Sequence, residues 1–392
     1  AFCFAMMLGA IWEIYEFTID GLMQLNMQKY ALENGVALVG RAAVIDTMSD
    51  LIVDAVGAFV IAVIGYISTK YKKGWLERCS SRASATIQKK ALLPTPPHNF
   101  NSGDIITMQR KVILSADSSC DLGPQLIQQY HVHLFPFTIL LDGQAYTDGE
   151  GITPDDLYRA WWEKKLLPKT AAINVAQYDE HFRQWTEQGY DVIHISLGSA
   201  LSSAHQNALL SARQLGHVYV IDSCSLSTGS GLIALQVADR IQQGMPAERI
   251  YQEVMQLVPK VQASFLLDTL EFMHAGGRCS SITRLGANVL HIKPCIQVHT
   301  DDHGSMGVSK MYRGKLIRCL KRYVQDVLAK PEGIDTSRVF ITHSGIDQAI
   351  IDMVRQTIEQ LVNFKETYIT RAGCTISSHC GPNTLGVLFL QK

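Results

Sequence analysis

From Lys111 onward the chain repeats one pattern: a short apolar run, a loop of small polar residues, then an amphipathic stretch. The runs Val112–Ser115, Val132–Leu141, Val192–Leu197 and Val218–Ile221 predict strands. Apolar positions at helical spacing predict helices over Asp155–Lys165, Tyr178–Gln188, Ala204–Leu215 and Gly231–Gln243. Strands that alternate with helices build a mainly parallel sheet, so residues 111–258 are expected to form an α/β domain. After Pro259 the rhythm changes. Val261–Leu267, Ile292–His299, Gly307–Tyr312, Val339–His343 and Thr367–Thr370 read as strands, with longer helices over Gly314–Leu328 and Asp347–Leu361. That order predicts a second, α+β domain over residues 259–392.

Upstream the pattern differs in kind. The run Leu51–Ile67, extendable back to about Val44, is almost continuously apolar, and with the extension it reaches the ~20 residues a helix needs to cross a bilayer. Its position, and Lys70, Lys72 and Lys73 directly behind it, favour a transmembrane helix over a secretory signal. Between Lys70 and Lys90 seven basic residues stand against one acid, Glu77. The positive-inside rule then anchors the protein in the cell membrane with residues 111–392 in the cytoplasm. Residues 1–75 are thus expected to be a transmembrane helical segment, truncated at its start because the chain opens inside the apolar run Ala1–Trp12. Residues 76–110, basic at first and then rich in Pro, Asn and Ser, are expected to be a linker. Glu13, Glu16 and Asp20, and Asp46, Asp50 and Asp54 at helical spacing, add carboxylates to this segment. At membrane depth such groups face a polar cavity, a proton path or a cation; at headgroup level water solvates them.

Composition sharpens this picture. Hydrophobic residues make up 47% of the 392 positions and charged residues only 18%, which excludes a disordered chain and suits one that meets a membrane. A formal net charge of -1 offers no global attraction for nucleic acid, so none is expected as a partner. The nine cysteines are scattered and contain no C-x-x-C pair, which argues against a disulfide framework or a cysteine zinc site and fits a reducing compartment. No metal or cofactor is expected.

Candidate chemistry gathers in loops that follow predicted strands. Asp117-Ser118-Ser119-Cys120-Asp121 follows the first, where hydroxyls and free N–H groups suit an anion; an N-cap formed by Asp117 or Ser118 explains the same residues. Pro168-Lys169-Thr170 and the loop with Ser199, Ser202 and Ser203 repeat that arrangement. Neutral hydroxyls there can hold a carboxylate, whereas G-x-S-x-G is absent and no base adjoins the serines, so nucleophilic catalysis is poorly supported. Gly229-Ser230-Gly231-Leu232-Ile233-Ala234 fits the G-x-G-x-x-A dinucleotide fingerprint, but the loop from Ile221 is too long and no strand ending in an acid follows at the required distance. In Gly276-Gly277-Arg278 the glycines permit a sharp turn, and Arg278 offers a planar fork for carboxylate or phosphate. His379 stands between small residues, where a lone histidine is more often structural than a ligand, and His379-Cys380 is not a metal spacing.

Taken in order, Asp117-Ser118-Ser119, Pro168-Lys169-Thr170, Ser199-Ala200-Leu201-Ser202, Ile221-Asp222-Ser223, Gly276-Gly277-Arg278, Ile292-Lys293-Pro294 and His379-Cys380-Gly381-Pro382 resemble the DegV family of bacterial fatty-acid-binding proteins, over essentially all of Lys111–Lys392. The resemblance implies a DegV-like two-domain fold that buries a long-chain fatty acid and catalyses nothing itself. It presents the carboxylate to a separate subunit, resembling a dihydroxyacetone kinase, that forms the acyl-phosphate. Carried over by position, Thr170, Ser202 and His379 would hold the carboxylate and Arg278 would stand at the mouth, where phosphate and partner meet; Ser118, Ser199, Cys380 and Lys293 are secondary candidates. The sequence departs from the family pattern at Ser203-Ala204-His205, where Gly-Thr-Tyr is usual, and at Ala171-Ala172, where Ser-Gln is usual. It departs again at Cys380 for Thr and at Asn383 for Gly. The run Gly40 to Asp54 resembles the carboxyl-terminal part of an uncharacterised family of small multi-pass bacterial membrane proteins, which implies no activity. Two competing readings are an enzyme, a phosphotransferase or hydrolase using the serine loops and Arg278, and a sensor domain of a membrane transporter.

Overall fold

The first strand, β1 (Val112–Asp117), is a β-branched and apolar run whose last four residues are fully buried. It is followed by α1 (Pro124–Tyr130), β2 (His133–Phe135), β3 (Thr138–Leu141), β4 (Gln144–Thr147), α2 (Pro154–Lys164), β5 (Lys169–Ala171) and α3 (Val175–Thr186). Then come β6 (Asp191–Ser196), α4 (Ala204–Leu215), β7 (Val218–Asp222), α5 (Thr228–Gln242) and α6 (Ala247–Met255). The remainder comprises β8 (Val261–Leu266), α7 (Glu271–Gly276), β9 (Ile292–His299), β10 (Ser305–Arg313), α8 (Leu316–Val327) and β11 (Ile334–His343). It closes with α9 (Gln348–Leu361), β12 (Glu366–Arg371), α10 (Cys374–Cys380) and β13 (Leu385–Gln391). This computed structural model describes residues 110–279 and 292–392. The expected transmembrane segment, the linker and the acids from Glu13 to Asp54 lie outside the described residues. Among the described residues no helix is long and apolar enough to cross a membrane.

These elements make three sheets. The first, in the order β2-β1-β6-β7, is parallel throughout, as the alternation of strands and helices predicts. Its strands are apolar on both faces because helices cover both; five of the six residues of β6 are buried. The second has the order β10-β9-β8-β13-β11-β12 and is antiparallel except for the β11–β12 pair. The third is a small antiparallel sheet, β4-β3-β5.

Three differences from the sequence reading have physical causes. The single strand expected over Val132–Leu141 is split at Pro136, which has no N–H for a ladder; its halves join different sheets. The second half folds back through Asp142 and Gly143, both at positive φ (53° and 76°), the two-residue turn that suits a twisted hairpin. No strand is expected after Thr370, yet β13 lies at the centre of the six-stranded sheet, bonded to β8 and to β11. Its residues are buried on both sides except Gln391, so the period-2 alternation that marks a half-exposed strand is missing.

One core cluster spans the first two sheets, joining Ile193, Ile195 and Ile221 to Ala263, Phe265 and Leu388. Helix α5 runs through it, buried over Thr228–Leu235. This explains the fingerprint-like glycines. A Cβ on Gly231 would meet the Cys120 carbonyl at 2.9 Å and one on Gly229 would meet Ser225 Oγ at 2.2 Å, so both let the helix approach its neighbours. They sit within the helix's own first turn, not in a loop before it.

Candidate ligand-binding site

The carboxyl ends of β1, β6 and β7 supply three adjacent loops, the first two tied together by one buried carboxylate. Asp117 Oδ1 accepts from the Tyr178 hydroxyl (2.8 Å) and His194 Nε2 (3.2 Å), and Oδ2 accepts from the Leu197 N–H (2.8 Å). Asp117 is therefore the anchor of the serine loop and caps nothing. The loop is pinned again where Ser199 N–H donates to Asp222 Oδ1 (3.2 Å), Gly198 N–H to the Ser225 carbonyl (2.8 Å) and Ala200 N–H to the His303 carbonyl (3.0 Å). At its end Ser202 Oγ accepts the Ala204 N–H at 3.2 Å, which occupies an oxygen lone pair and leaves the hydroxyl proton free to be donated.

Opposite this loop stands α10, whose first turn is held by two buried carboxylates. Asp121 Oδ1 accepts the Gly373 N–H (2.8 Å); Asp148 accepts the Cys374 N–H (2.9 Å) and the Thr375 hydroxyl (2.6 Å). Burial pushes the Asp121 carboxyl up to about 8, against the opposing effect of its hydrogen bonds from Ser227 and Gly373. The last turn of α10 presents His379, whose Nε2 lies 2.9 Å from Thr170 Oγ1 on β5. Its Nδ1 is buried and has no hydrogen-bond partner among the described residues; it lies against Gly276, where a Cβ would come within 2.4 Å of it. Burial, reinforced by the charge on Arg278, holds the imidazole down at about 4, so it is neutral at physiological pH.

Thr170, Ser202, Arg278 and His379 come from four separate segments and line one pocket of about 750 Å³ of empty space. The rest of the lining is mostly apolar and includes Phe137, Leu201, Leu226, Phe265, Met306 and Ile376. A second, small pocket shares Leu226, Phe265, Ile376 and Cys380 with the first and extends to Ala372 and to Leu388 on the second sheet. Arg278 is exposed, and one of its N–H groups donates to the Gly276 carbonyl at 2.5 Å.

The secondary candidates divide. Cys380 lines both cavities, and burial pushes its thiol up to about 12, so it is a neutral wall residue. Ser199 borders an open groove beside the mouth together with Ser203, Gln206 and Arg278. Ser118 is committed elsewhere: its hydroxyl donates to Asp148 (2.8 Å) and accepts the Phe137 N–H (3.1 Å), so it supports the pocket wall from behind. Lys293 is paired with Asp268, to both its carboxylate (2.5 Å) and its carbonyl (2.8 Å), outside the pocket.

Fold and site together define an α/β protein with a mostly apolar pocket that also presents a few polar side chains, lined by residues of different sheets. Residues 111–392 match the family model described as the uncharacterised DegV family, and the chain belongs to that family. Residues 1–71 match a model described as a predicted membrane protein (DUF2238). A DegV domain-containing protein of Caldanaerobacter subterraneus is 27% identical over 288 residues, 72% of this chain and 99% of that protein. One of Clostridium acetobutylicum is 26% identical over 285 residues, covering 72% and 99%. Among solved structures, a fatty-acid-binding DegV family protein from Thermus thermophilus matches with a TM-score of 0.66 and 25% identity, over 72% of this chain and all (100%) of that one. The fatty-acid-binding DegV of Bacillus subtilis shares the fold, with a TM-score of 0.60 and 21% identity over 72% and 100%.

Proposed function

We propose that residues 111–392 form a non-catalytic fatty-acid carrier. A long-chain fatty acid lies with its tail along the first pocket toward the second, past the wall residues that the two share, and its carboxylate at Thr170, Ser202 and His379. The observation that carries this reading is the make-up of the pocket lining, in which the Thr170 and Ser202 hydroxyls, the His379 imidazole and the Arg278 guanidinium meet a wall that is otherwise mostly apolar. A carboxylate accepts hydrogen bonds only, and the mouth can supply donors. With Nε2 of His379 protonated toward Thr170 Oγ1, the threonine proton points at the ligand alongside that of Ser202. Arg278 contributes positive charge at the rim. The fatty acids held by the Thermus and Bacillus proteins, which share this fold, support the same choice of ligand.

A hydrolase or phosphotransferase is less well supported. The Thr170–His379 pair has the spacing of a nucleophile and its base, but Nδ1 meets no acidic partner among the described residues and burial has lowered the basicity of the ring. A carrier that does not react its cargo must hand it on. The exposed Arg278 beside the groove of Ser199 and Ser203 suits an anionic transfer partner, in our reading a kinase subunit resembling dihydroxyacetone kinase. Residues 1–75 would hold the carrier at the membrane, with residues 111–392 on its cytoplasmic side; the match to a predicted membrane protein supports this.

The test is mass spectrometry of the small molecules that co-purify with residues 106–392, the compact unit that corresponds to the whole Thermus chain. A fatty acid in equal proportion to protein is expected. A folded protein that is empty and takes up no added fatty acid would exclude the carrier and bring the enzyme reading forward.

A further inference from the structure

A second cluster of chemically capable side chains lies on the outer side of the serine loop. Asp222 ends β7, Cys224 follows two residues later, and His303 occupies the tip of the β9–β10 hairpin. One carboxylate oxygen, the thiol sulfur and one imidazole nitrogen of these residues all lie within 4.8 Å of one another. The His303 Nδ1 to Asp222 Oδ2 separation is 3.8 Å.

The frame that brings them together is rigid. Cys224 and His303 both adopt positive φ (45° and 53°), and Gly304 follows at 89°, so each segment turns sharply at its donor. The hairpin tip is pressed so closely on the β7 loop that a Cβ on Gly304 would lie 2.9 Å from the carbonyl carbon of Cys224. Asp222 divides its work: Oδ1 accepts the Ser199 and Cys224 N–H groups, and Oδ2 faces His303. Burial and the adjacent Asp222 charge push the Cys224 thiol up to about 12, so without a cation it stays protonated. The His303 side chain is 72% exposed, which gives an ion a route in.

We propose that Asp222, Cys224 and His303 bind a thiophilic divalent cation, of which zinc is the natural example. Thiolate with imidazole selects zinc or cobalt over magnesium and calcium, which take oxygen ligands. Binding displaces one proton from the thiol to solvent and forms a metal–sulfur bond; the two anionic ligands then balance the two charges of the ion. A solvent molecule fills the fourth tetrahedral position. The ion ties the hairpin of the second sheet to the loop after β7, and Asp222 in turn holds the Ser199 N–H of the loop that carries Ser202, so it would stiffen one wall of the pocket without touching the ligand. The site does not depend on what the pocket holds.

Cobalt titration of the full-length chain tests this directly. Thiolate ligation gives a near-ultraviolet sulfur-to-cobalt charge-transfer band, and the expected result is one ion per chain, displaced by zinc. Cys224→Ser should abolish the band, and His303→Asn, which tolerates the same turn, should weaken cobalt affinity at least tenfold. Because the other cysteines could bind cobalt elsewhere, a band that persists undiminished in Cys224→Ser would overturn the proposal. So would a wild-type chain that takes up no cobalt at micromolar free metal, or a His303→Asn variant with unchanged affinity in a protein of unchanged melting temperature.

Discussion

Removing the two hydroxyls at the pocket mouth separates the contribution of the carboxylate from that of the hydrocarbon tail. Ser202→Ala deletes a donor whose oxygen accepts the Ala204 N–H, and Thr170→Val keeps the β-branched shape at a strand position paired with Ile139. A hydrogen bond to a charged group is worth about 1.5–3 kcal/mol, so Ser202→Ala should weaken binding roughly 10- to 150-fold. The two hydroxyls would hold one group, so their losses need not add; the double variant should lie between ~10²- and ~10⁴-fold. The tail still contributes up to ~12 kcal/mol for about sixteen carbons before the entropic costs of binding, so the variant should retain measurable affinity. Displacement of a fluorescent fatty acid measures this, with the methyl ester of the same acid as control. Wild type should prefer the free acid strongly, and the double variant should prefer it little. Equal affinity of wild type and variant for the free acid would refute the placement of the carboxylate.

Other consequences can be tested separately. Ile376 lines both cavities, so Ile376→Trp should block passage from one to the other and shift the co-purified acyl chains to shorter lengths; an unchanged distribution would mean the tail does not pass there. Asp121 holds its proton up to about 8 in the folded protein but releases it near the ordinary carboxylate value when unfolded. Its contribution to stability is thus present at low pH and is lost as pH rises through about 8. The urea midpoint should fall between about pH 5 and pH 8, and Asp121→Asn should flatten part of that slope; an identical slope would contradict the buried-acid assignment.

The parallel sheet was legible because three of its four strands, β1, β6 and β7, end in a loop of small polar residues followed by a helix, and Ala204–Leu215 matches its expected bounds at both ends. The elements that complete the pocket gave weaker signals. Strand β5 has three residues and α10 has seven, too short for any periodicity to register, and they carry Thr170 and His379. No local rule joins those two residues to Ser202 and Arg278; the order of motifs along the chain did so through a family resemblance. At Lys293 and Ser118 the structure pairs the motif's polar side chain with a carboxylate, Asp268 and Asp148, a use that the sequence does not distinguish from ligand binding. Asp117 was read as a possible cap, and nothing in the sequence announced that its partners would be Tyr178, His194 and Leu197 on other elements. The Asp222, Cys224 and His303 cluster escaped for a similar reason, since its third member arrives from a hairpin in a different sheet.

The central position of β13 has a consequence for how this region is made. Both of its neighbours, β8 and β11, precede it in the chain, so during synthesis they emerge with facing edges that nothing yet joins. The six-stranded sheet cannot close outward from a local hairpin at its middle; it closes when the last of its strands is inserted between two that are already waiting. Pairings of high sequence separation form slowly, and unpaired edges are templates for association with other chains. The nascent protein therefore passes through a stage in which half its core is open and adhesive, and its yield in the cell should depend on how quickly one short apolar segment finds its slot.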